Sequence, residues 1–254
     1  MKGIVLITGA ANGIGAAIVR KYLKNTDQYI IAIDINGKDL LKTRENISPE
    51  NQIRFIPLVI DLTKEKEIKQ KVMQEIKKRG AIEHVVISHA VGYNNEINED
   101  NKWDHILNVN LHSTQRLLSA IEGDISKNGR VVILSSILGR VGKANNTAYV
   151  SSKHALLGLV KALALDWAKR KITVNSVLPC WVDTPMMRKE LEPQAAMMGV
   201  PLSQMLRKIK KSIPLRQLVS PDDVADTVMY LTSPQAKMIT AQSIVIDGGF
   251  GCGV

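Results

Sequence analysis

Apolar runs of strand length alternate with amphipathic stretches of helix length along the whole chain, and this alternation restricts the fold more than any other feature. The strand candidates are rich in Val and Ile and mostly apolar on both faces, as strands are when helices cover each side. They occupy residues 4–7, 29–33, 53–59, 84–87, 131–134, 172–178 and 243–246. Helices are predicted between them at residues 13–24, 62–78, 103–120, 147–168 and 222–231. Repeated strand–helix units predict an α/β fold, a doubly wound seven-stranded parallel sheet with helices on both faces.

The length and composition of the chain indicate a single folding unit. Its 254 residues, of which 45% are hydrophobic, suffice to bury a full core. Folds of the α/β class at this length are commonly single domains, and no repeat or Gly-, Ser- or Pro-rich linker divides the sequence. We therefore predict one domain over residues 1–254.

The segment at residues 186–211 is helix-prone but breaks the alternation. It carries five methionines, a flexible residue type that fills irregular apolar gaps. One interpretation is a mobile helical segment that covers an apolar substrate. The other is plain packing against the body of the protein or against a neighbouring subunit.

The net charge of +10 would favour polyanionic partners such as nucleic acid. However, the lysines and arginines are interleaved with glutamates along apparent helix faces. Aromatic residues, which provide stacking platforms for bases, make up only 4% of the chain. We interpret the charge as a solvated surface, with attraction of an anionic cofactor or substrate as the alternative, and expect no nucleic acid partner.

Cysteine usage and the apolar runs indicate the cellular setting. The chain has two cysteines, too few for a disulfide scaffold. The first residues lack the features of a secretory signal, and no apolar run reaches the roughly 18 to 20 residues that span a bilayer. We expect a cytoplasmic protein that does not associate with membranes.

A glycine-rich loop with the sequence TGAANGIG follows the first strand directly, at residues 8–15. Its glycines permit a tight turn and a close backbone approach to a pyrophosphate at a helix N-terminus, where free N–H groups and the helix dipole favour anions. The strand–loop–helix context predicts Rossmann-type dinucleotide binding. The residues expected to contact the cofactor here are Gly9, Ala11, Asn12, Gly13, Ile14 and Gly15.

Acidic residues end the second and third strands. Asp34, with Ile35 beside it, follows the loop by about 20 residues and would accept hydrogen bonds from the adenine ribose. Since its charge would repel a 2′-phosphate, the sequence favours NAD over NADP, although the nearby Lys38 weakens this preference. Asp61 and Leu62 are placed beside the adenine. The alternative interpretations are that Asp34 only caps a turn and that Asp61 is only a helix N-cap.

Tyr149 and Lys153 stand at positions i and i+4, which puts a phenol and an ammonium on one face of a helix. A free tyrosine has a pKa of about 10. We expect the neighbouring cation to lower that pKa, and an oxidised nicotinamide ring to add to the effect. Tyr149 is therefore the candidate general acid/base for a substrate oxygen. Ser135 and Ser136 end the fifth strand, at the sheet edge where such folds bind ligands, and one of the two hydroxyls would hold that oxygen.

Together these residues resemble the short-chain dehydrogenase/reductase family over essentially the whole chain. The glycine loop is similar to that family's cofactor loop, and Tyr149-x-x-x-Lys153 is similar to its active-site pair. Ser136, thirteen residues before Tyr149, falls where the family keeps its catalytic serine. The segment Asn-Val-Asn at residues 108–110 resembles the family's mid-helix motif. This implies that Asn110 holds a water that relays protons from Lys153 to solvent.

The resemblance also implies the remaining cofactor contacts. Lys153 would bind the hydroxyls of the nicotinamide ribose. The backbone of Val182 and the hydroxyl of Thr184 would contact the carboxamide. Further contacts are implied for residues at the ends of the fourth and sixth strands, namely Ser88, His89, Ala90 and Pro179.

Two departures from the family's pattern affect the cofactor pocket. Residues 88–91 are Ser-His-Ala-Val where the family usually has Asn-Asn-Ala-Gly, which changes the contact near the ribose and the way the central strands are tied. Cys180 replaces a usual glycine and is either a small buried residue or a redox-sensitive thiol. His89 and His154 lack a nucleophile or metal-ligand pattern, so we interpret both as structural or ribose-side residues.

These features predict an NAD(H)-dependent oxidoreductase that transfers hydride between a nicotinamide and a secondary alcohol or ketone, with no metal. The main alternative is an NADPH-dependent 3-oxoacyl-thioester reductase, since Arg130 and Arg170 occupy positions where carrier-protein reductases of the family have basic docking residues. A third hypothesis is a nucleotide-binding protein that has lost turnover. The resemblance, with the surplus apolar residues of the helix at 147–168, implies a homotetramer or homodimer built on that helix and the helix at 103–120.

Overall fold

The computed structural model describes residues 3–45 and 47–252. In this part of the chain seven parallel strands form one sheet in the order β3-β2-β1-β4-β5-β6-β7. The strands are β1 (Ile4–Thr8), β2 (Tyr29–Asp34), β3 (Phe55–Val59), β4 (Ile82–Ile87), β5 (Ile125–Leu134), β6 (Thr173–Pro179) and β7 (Ser243–Ile246). The strand order reverses between β1 and β4, which confirms the doubly wound sheet. A crevice is expected at this switch point, outside the carboxyl ends of the strands.

Helices connect successive strands and cover both faces of the sheet. The α-helices are α1 (Gly13–Asn25), α2 (Gly37–Glu45), α3 (Pro49–Gln52), α4 (Glu65–Glu67), α5 (Met73–Arg79), α6 (Asp100–Leu107), α7 (Ser113–Ile121), α8 (Thr147–Asp166), α9 (Pro185–Met197), α10 (Leu202–Ser212) and α11 (Pro221–Thr232). Wider π turns at Ile68–Val72 and Asn108–His112 join α4 to α5 and α6 to α7. Short 3₁₀ turns lie at Glu122–Asp124, Ile137–Gly139, Ala168–Arg170 and Pro234–Ala236.

The core is divided by the sheet into two apolar layers, and β1 shows why. Ile4 and Leu6 face the layer that α5, α7 and α8 complete, whereas Val5 and Ile7 face the layer that α1 and α11 complete. Because successive side chains of a strand point to opposite faces, a strand covered on both sides must be apolar at every position. All five residues of β1 are buried.

The predicted elements differ from the observed ones mainly where polar residues take part. Strand β5 begins at Ile125 rather than at residue 131. Its first residues were not predicted as strand because they are mostly polar, and Asn128 among them has a left-handed conformation with φ of 65°. The helical stretch predicted at 62–78 begins only at Glu65, because Asp61 accepts hydrogen bonds from the Thr63 backbone N–H and hydroxyl. Helix α2 was not predicted, since Leu40 is its single buried residue.

The methionine-rich segment at 186–211 forms most of two helices, α9 and α10. They are separated around Gly199, whose φ of 65° ends α9 in the left-handed region that glycine adopts most readily. Within the described residues no helix combines the length and apolarity that a membrane-spanning segment requires.

Candidate active site

The glycine loop between β1 and α1 requires glycine at three positions. Gly9 and Gly13 have φ of 65° and 52°, a region that other residues seldom adopt. A Cβ on Gly9 would lie 2.8 Å from the backbone of His89, and one on Gly15 would lie 2.0 Å from the Gly9 carbonyl oxygen. The loop is therefore packed on its own backbone and on the end of β4, with no room for side chains.

The N-terminus of α1 is suited to an anion such as a pyrophosphate. The N-cap residue Asn12 makes no side-chain capping bond, and the first turn of the helix contains no acidic residue. The Asn12 amide instead donates to Asp39 Oδ2 at 2.9 Å. Because the first N–H groups of a helix have no intrahelical partner, they are available to bind phosphate oxygens. The residues present fit a dinucleotide cofactor at this point.

Asp34 at the end of β2 both braces the loop and faces the crevice. Its Oδ2 accepts a hydrogen bond from the Ala11 backbone N–H and its Oδ1 accepts one from the Asn36 N–H, each at 2.9 Å. Asp34 therefore caps this turn, as one interpretation predicted, and its side chain also lines the crevice. Ala11, by contrast, is buried, donates its N–H to Asp34 and does not line the crevice, so its predicted cofactor contact stays a prediction.

A first cavity of about 330 Å³ runs along the carboxyl ends of the central strands. It brings together most of the predicted cofactor residues, namely Gly9, Asn12, Gly13, Ile14, Gly15, Asp34, Ile35, Asp61, Leu62, Ser88, His89, Ala90, Tyr149, Lys153 and Thr184. Pro179 and Val182 do not line it and face a second cavity instead. The contacts of Pro179 and Val182 with the cofactor stay a prediction.

The altered segment after β4 is tied to the neighbouring elements by His89. The ring lies between two hydroxyls, with Nδ1 2.7 Å from Thr8 Oγ1 and Nε2 2.7 Å from Ser113 Oγ. Ser113 donates its proton to the Val109 carbonyl, so its oxygen accepts from Nε2–H. Thr8 accepts from the Ser88 N–H, which leaves its proton for Nδ1. This arrangement requires a neutral ring, and burial lowers the pKa of His89 to about 4. His89 is thus a structural link between β1, β4 and the α6–α7 segment.

Asn110 lies in the π turn Asn108–His112 and is buried. Its Oδ1 accepts from the Val91 N–H at 2.8 Å, and its Nδ2 donates to the Val91 carbonyl at 2.9 Å and to Ser152 Oγ at 3.1 Å. These bonds hold the chain after β4 against α8. The proton relay implied for Asn110 stays a prediction.

Tyr149, Ser136 and Lys153 meet at the N-terminal half of α8. Ser136 lies close enough to the Tyr149 hydroxyl to act on its pKa, and Lys153 Nζ lies 5.5 Å from the centre of the Tyr149 ring. Lys153 donates to the Leu134 carbonyl at 3.1 Å, which fixes the ammonium at the end of β5. The ring of Tyr149 packs closely on Gly92, where a Cβ would lie 3.0 Å from a ring carbon.

Burial controls the protonation of this pair. It raises the pKa of Tyr149 to about 12, against a smaller lowering from the Ser136 hydrogen bond and with a further increase from the Glu190 carboxylate. It lowers the pKa of Lys153 to about 8. The sequence-based expectation of a lowered Tyr149 pKa is therefore not met, because burial disfavours the charged phenolate and Lys153 is not among the groups that shift this pKa.

The two adjacent serines have different surroundings. Ser135 is buried and donates to the Lys153 carbonyl at 2.9 Å, so it anchors α8 to the end of β5. Ser136 accepts from the Leu138 N–H and presents its hydroxyl to Tyr149. Of the two hydroxyls, that of Ser135 is engaged by a backbone carbonyl and that of Ser136 lies beside Tyr149.

A second cavity of about 430 Å³ adjoins the first, and residues such as Ser135, Tyr149 and Met186 line both. Its wall is mostly apolar and includes Ile137, Leu138, Val141, Trp181, Val182, Met187 and Phe250. Apart from Val182 and Met187, which were predicted as a cofactor contact and as part of the covering segment, these residues were not predicted, because they come from separate segments and carry no motif. One signal was present, since apolar side chains followed the strand ends that were expected to bind ligands.

Cys180 lines the second cavity, and its surroundings favour the neutral thiol. It is 5% exposed, and burial, reinforced by the Asp247 charge, raises its pKa to about 12. The thiolate, which is the reactive form, is therefore scarce at neutral pH. The neighbouring Trp181 has a φ of 24°, a strained backbone conformation of the kind that clusters at functional sites.

Comparison with known proteins agrees with this geometry. A protein-family model described as Enoyl-(Acyl carrier protein) reductase matches residues 9–251. The similar proteins include the short-chain dehydrogenase srdC of Neurospora crassa, which is 35% identical over 273 residues that cover 98% of this chain and 97% of that protein. The chain belongs to the short-chain dehydrogenase/reductase family.

Other relatives of this short-chain dehydrogenase/reductase differ in what they act on. The D-beta-hydroxybutyrate dehydrogenase of Rhizobium meliloti is 28% identical over 256 residues, which cover 98% of this chain and 99% of that protein. A structure of actinorhodin polyketide ketoreductase with NADPH has a TM-score of 0.89 at 28% identity, and the match covers 98% of this chain and 97% of the other. As a family member, the protein is an oxidoreductase with a nicotinamide cofactor.

Proposed function

We propose that this short-chain dehydrogenase/reductase transfers hydride between NAD(H) and an apolar, medium-sized ketone or secondary alcohol, with Tyr149 as general acid/base. The observation that carries the proposal is the position of Tyr149. It lies where the two cavities meet, with Ser136 on its hydroxyl and Lys153 beside its ring. The first cavity would hold the cofactor and the second the substrate.

The surroundings of Ser136, Tyr149 and Lys153 support a separate role for each residue in the reaction. When bound, the nicotinamide supplies or accepts the hydride. Ser136 donates a hydrogen bond to the substrate oxygen, and Tyr149 gives that oxygen a proton during reduction or removes one during oxidation. Lys153 holds the cofactor ribose and, with Asn110, relays protons between the phenol and solvent, toward the phenol during reduction and away from it during oxidation.

The buried phenol supports reduction as the favoured direction at neutral pH. Because the Tyr149 pKa is raised to about 12, the hydroxyl is protonated and ready to donate to a ketone oxygen. Oxidation of an alcohol needs the phenolate, whose population grows as the pH rises. We therefore expect ketone reduction to exceed alcohol oxidation at pH 7.

The cofactor preference rests on Asp34. Its carboxylate lines the first cavity and would accept hydrogen bonds from the adenine ribose, whereas it would repel the 2′-phosphate of NADP. Absorbance of the reduced nicotinamide, followed with NADH and NADPH against a panel of methyl ketones, tests both the activity and the preference. Asp34→Ala should narrow the preference for NADH. A wild-type protein that uses NADPH better would contradict the cofactor proposal.

The second candidate is an NADPH-dependent 3-oxoacyl-thioester reductase. Similarity to the 3-oxoacyl-[acyl-carrier-protein] reductase FabG of Thermotoga maritima, 30% identical over 254 residues, favours it. However, the guanidinium groups of the two arginines proposed to dock a carrier protein are hydrogen-bonded to backbone carbonyls of this chain. Arg130 is 8% exposed and donates to the Asn128 and Gly129 carbonyls, while Arg170 donates to the Glu122 and Ile125 carbonyls. The complete Ser136, Tyr149 and Lys153 cluster equally disfavours a protein that binds nucleotide without turnover.

We also propose that α9 covers the substrate and that α8 takes part in a homodimer or homotetramer. Met186 and Met187 at the start of α9 line the second cavity, which supports a covering role. Leu165 on α8 is 78% exposed, an unusual position for a large apolar side chain on a long helix. Light scattering of wild type and Leu165→Glu tests the assembly, because a buried charge at the interface should shift the protein toward smaller species.

A further inference from the structure

The wall of the second cavity holds one pair of opposite charges. Lys143 Nζ lies 2.5 Å from Glu190 Oε1, and the two side chains are 35% and 26% exposed. They are the only charged side chains among the described residues that line this cavity. Lys143 belongs to the connection that precedes α8, and Glu190 belongs to α9, so the ion pair joins two sides of the same cavity.

The ion pair lines the same cavity as Tyr149, the proposed acid/base, and is also partly exposed to solvent. The Glu190 carboxylate is close enough for its charge to act on the Tyr149 hydroxyl. A substrate held with its oxygen on Tyr149 must therefore extend along a wall that contains this ion pair.

The ion pair determines whether an anionic or a neutral substrate binds more favourably in the second cavity. While Glu190 neutralises Lys143, a substrate carboxylate gains little from the ammonium and is repelled by the glutamate. To bind Lys143 it must displace Glu190 and leave that carboxylate without a partner, which is costly for a half-buried group. A neutral substrate avoids both penalties and can still exchange hydrogen bonds with either side chain.

We propose that Lys143 and Glu190 determine substrate charge in this enzyme, with Glu190 excluding anionic substrates by occupying the cation that would otherwise bind them. The inference rests on the proposed function, since it assigns the second cavity to the substrate. The natural substrate class is thus a neutral ketone or alcohol. Lys143 could bind an anion, but the Glu190 carboxylate already occupies it.

The experiment compares ketones that differ only in charge. A series of methyl-ketone carboxylates from 4-oxopentanoate to 7-oxooctanoate is matched with the neutral diketones from hexane-2,5-dione to nonane-2,8-dione. The ratio of kcat/KM between matched members is measured for wild type, Glu190→Gln and the double variant Lys143→Gln/Glu190→Gln. The wild type should prefer the neutral compounds. Glu190→Gln should shift the ratio toward the carboxylates by about tenfold to hundredfold, the effect of one freed charge-assisted hydrogen bond.

The double variant separates attraction by Lys143 from simple removal of the glutamate charge. It should lose the gain seen in Glu190→Gln, because no cation remains to bind the carboxylate. An equal gain in both variants, or no change of ratio in Glu190→Gln, would overturn the proposal. Asp183→Asn is the matched control, since it breaks the ion pair of 2.7 Å with Arg188 near the start of α9 without altering a residue that lines either cavity.

A binding measurement keeps this result separate from the proposed function. Calorimetric titration of the same ligands into protein with NAD⁺, which cannot reduce a ketone, reports affinity without turnover. A tighter carboxylate complex in Glu190→Gln, absent in the double variant, supports the charge-selection role even if no ketone is reduced. Absence of turnover with every ketone would contradict the proposed function alone, whereas unchanged affinities would contradict the inference alone.

Discussion

The two cavities that meet at Tyr149 are built in different ways. The first is lined largely by short runs of consecutive residues at the ends of β1, β2, β3 and β4, among them the three glycines of the loop. The second is formed by side chains from the 137–146 connection, the 179–190 stretch and Phe250. A backbone site needs particular residue types, above all glycine, and so leaves a motif. A side-chain site can be built from many combinations of residues, and so it leaves no motif.

The largest effect should come from the residue that the two cavities share. Tyr149→Phe removes the proton donor while keeping the ring that packs on Gly92. We expect kcat to fall by about 10²- to 10⁴-fold, the usual contribution of general acid–base catalysis, with NADH affinity unchanged. Steady-state kinetics and titration of NADH fluorescence provide the two measurements. A variant that keeps its kcat would show that the two cavities do not meet at a catalytic phenol.

The free energy of unfolding should decrease in acid because His89, which lines the first cavity, is buried as a neutral ring. Its pKa is about 4 in the folded protein, against about 6.5 for an unfolded chain. The folded state therefore binds fewer protons, so the stability is fully present above pH 6.5 and is lost as the pH falls toward 4. For His89 the loss is about 3 kcal/mol.

Urea unfolding between pH 7 and pH 4.5 measures this dependence. His84, whose pKa burial also lowers to about 4, contributes with the same sign. His89→Asn should be less stable at pH 7 and should show a smaller decrease with acid. The exposed His154→Asn is the control and should keep the wild-type slope. An unchanged slope in His89→Asn would mean that the ring is not held neutral.

Substituting a glycine of the loop tests whether the first cavity depends on backbone alone. A Cβ on Gly15 would lie 2.0 Å from the Gly9 carbonyl oxygen, so Gly15→Ala must displace the loop. We expect a loss of about 1–3 kcal/mol in the free energy of unfolding, together with weaker NADH binding. Gly123→Ala, where an added Cβ meets nothing within 4 Å, should change neither property. Equal behaviour of the two variants would contradict the tight loop.

The smallest effect concerns the charge of the second cavity. The Glu190 carboxylate contributes to the raised pKa of Tyr149, so Glu190→Gln should lower that pKa. The rise of alcohol oxidation with pH should then move to lower pH, by less than about one unit. The exposed Glu192→Gln on the same helix should leave the profile in place. A shift to higher pH would contradict the assigned position of the carboxylate.

Individual residues show why some positions could be predicted from the sequence. The positions of the glycines, Asp34, Tyr149 and Lys153 were predictable because they depend on short-range geometry: a loop after a strand, a strand end, or one turn of a helix. The opposite sign of the Tyr149 pKa shift was not predictable, because desolvation depends on every element packed around the phenol. The role of His89 was equally hidden, since its partners Thr8 and Ser113 are remote in sequence.

The sequence by itself determined the order of strands and helices, the parallel sheet, the glycine loop between β1 and α1, and the placement of Tyr149 and Lys153 on one face of a helix. Each of these follows from the periodicity of apolar residues or from groups that are close along the chain. Only the tertiary structure decided which serine faces Tyr149, that Pro179 and Val182 belong to the second cavity, and that Lys143 meets Glu190. These depend on side-chain directions and on contacts between distant segments, which packing fixes and which local sequence does not encode.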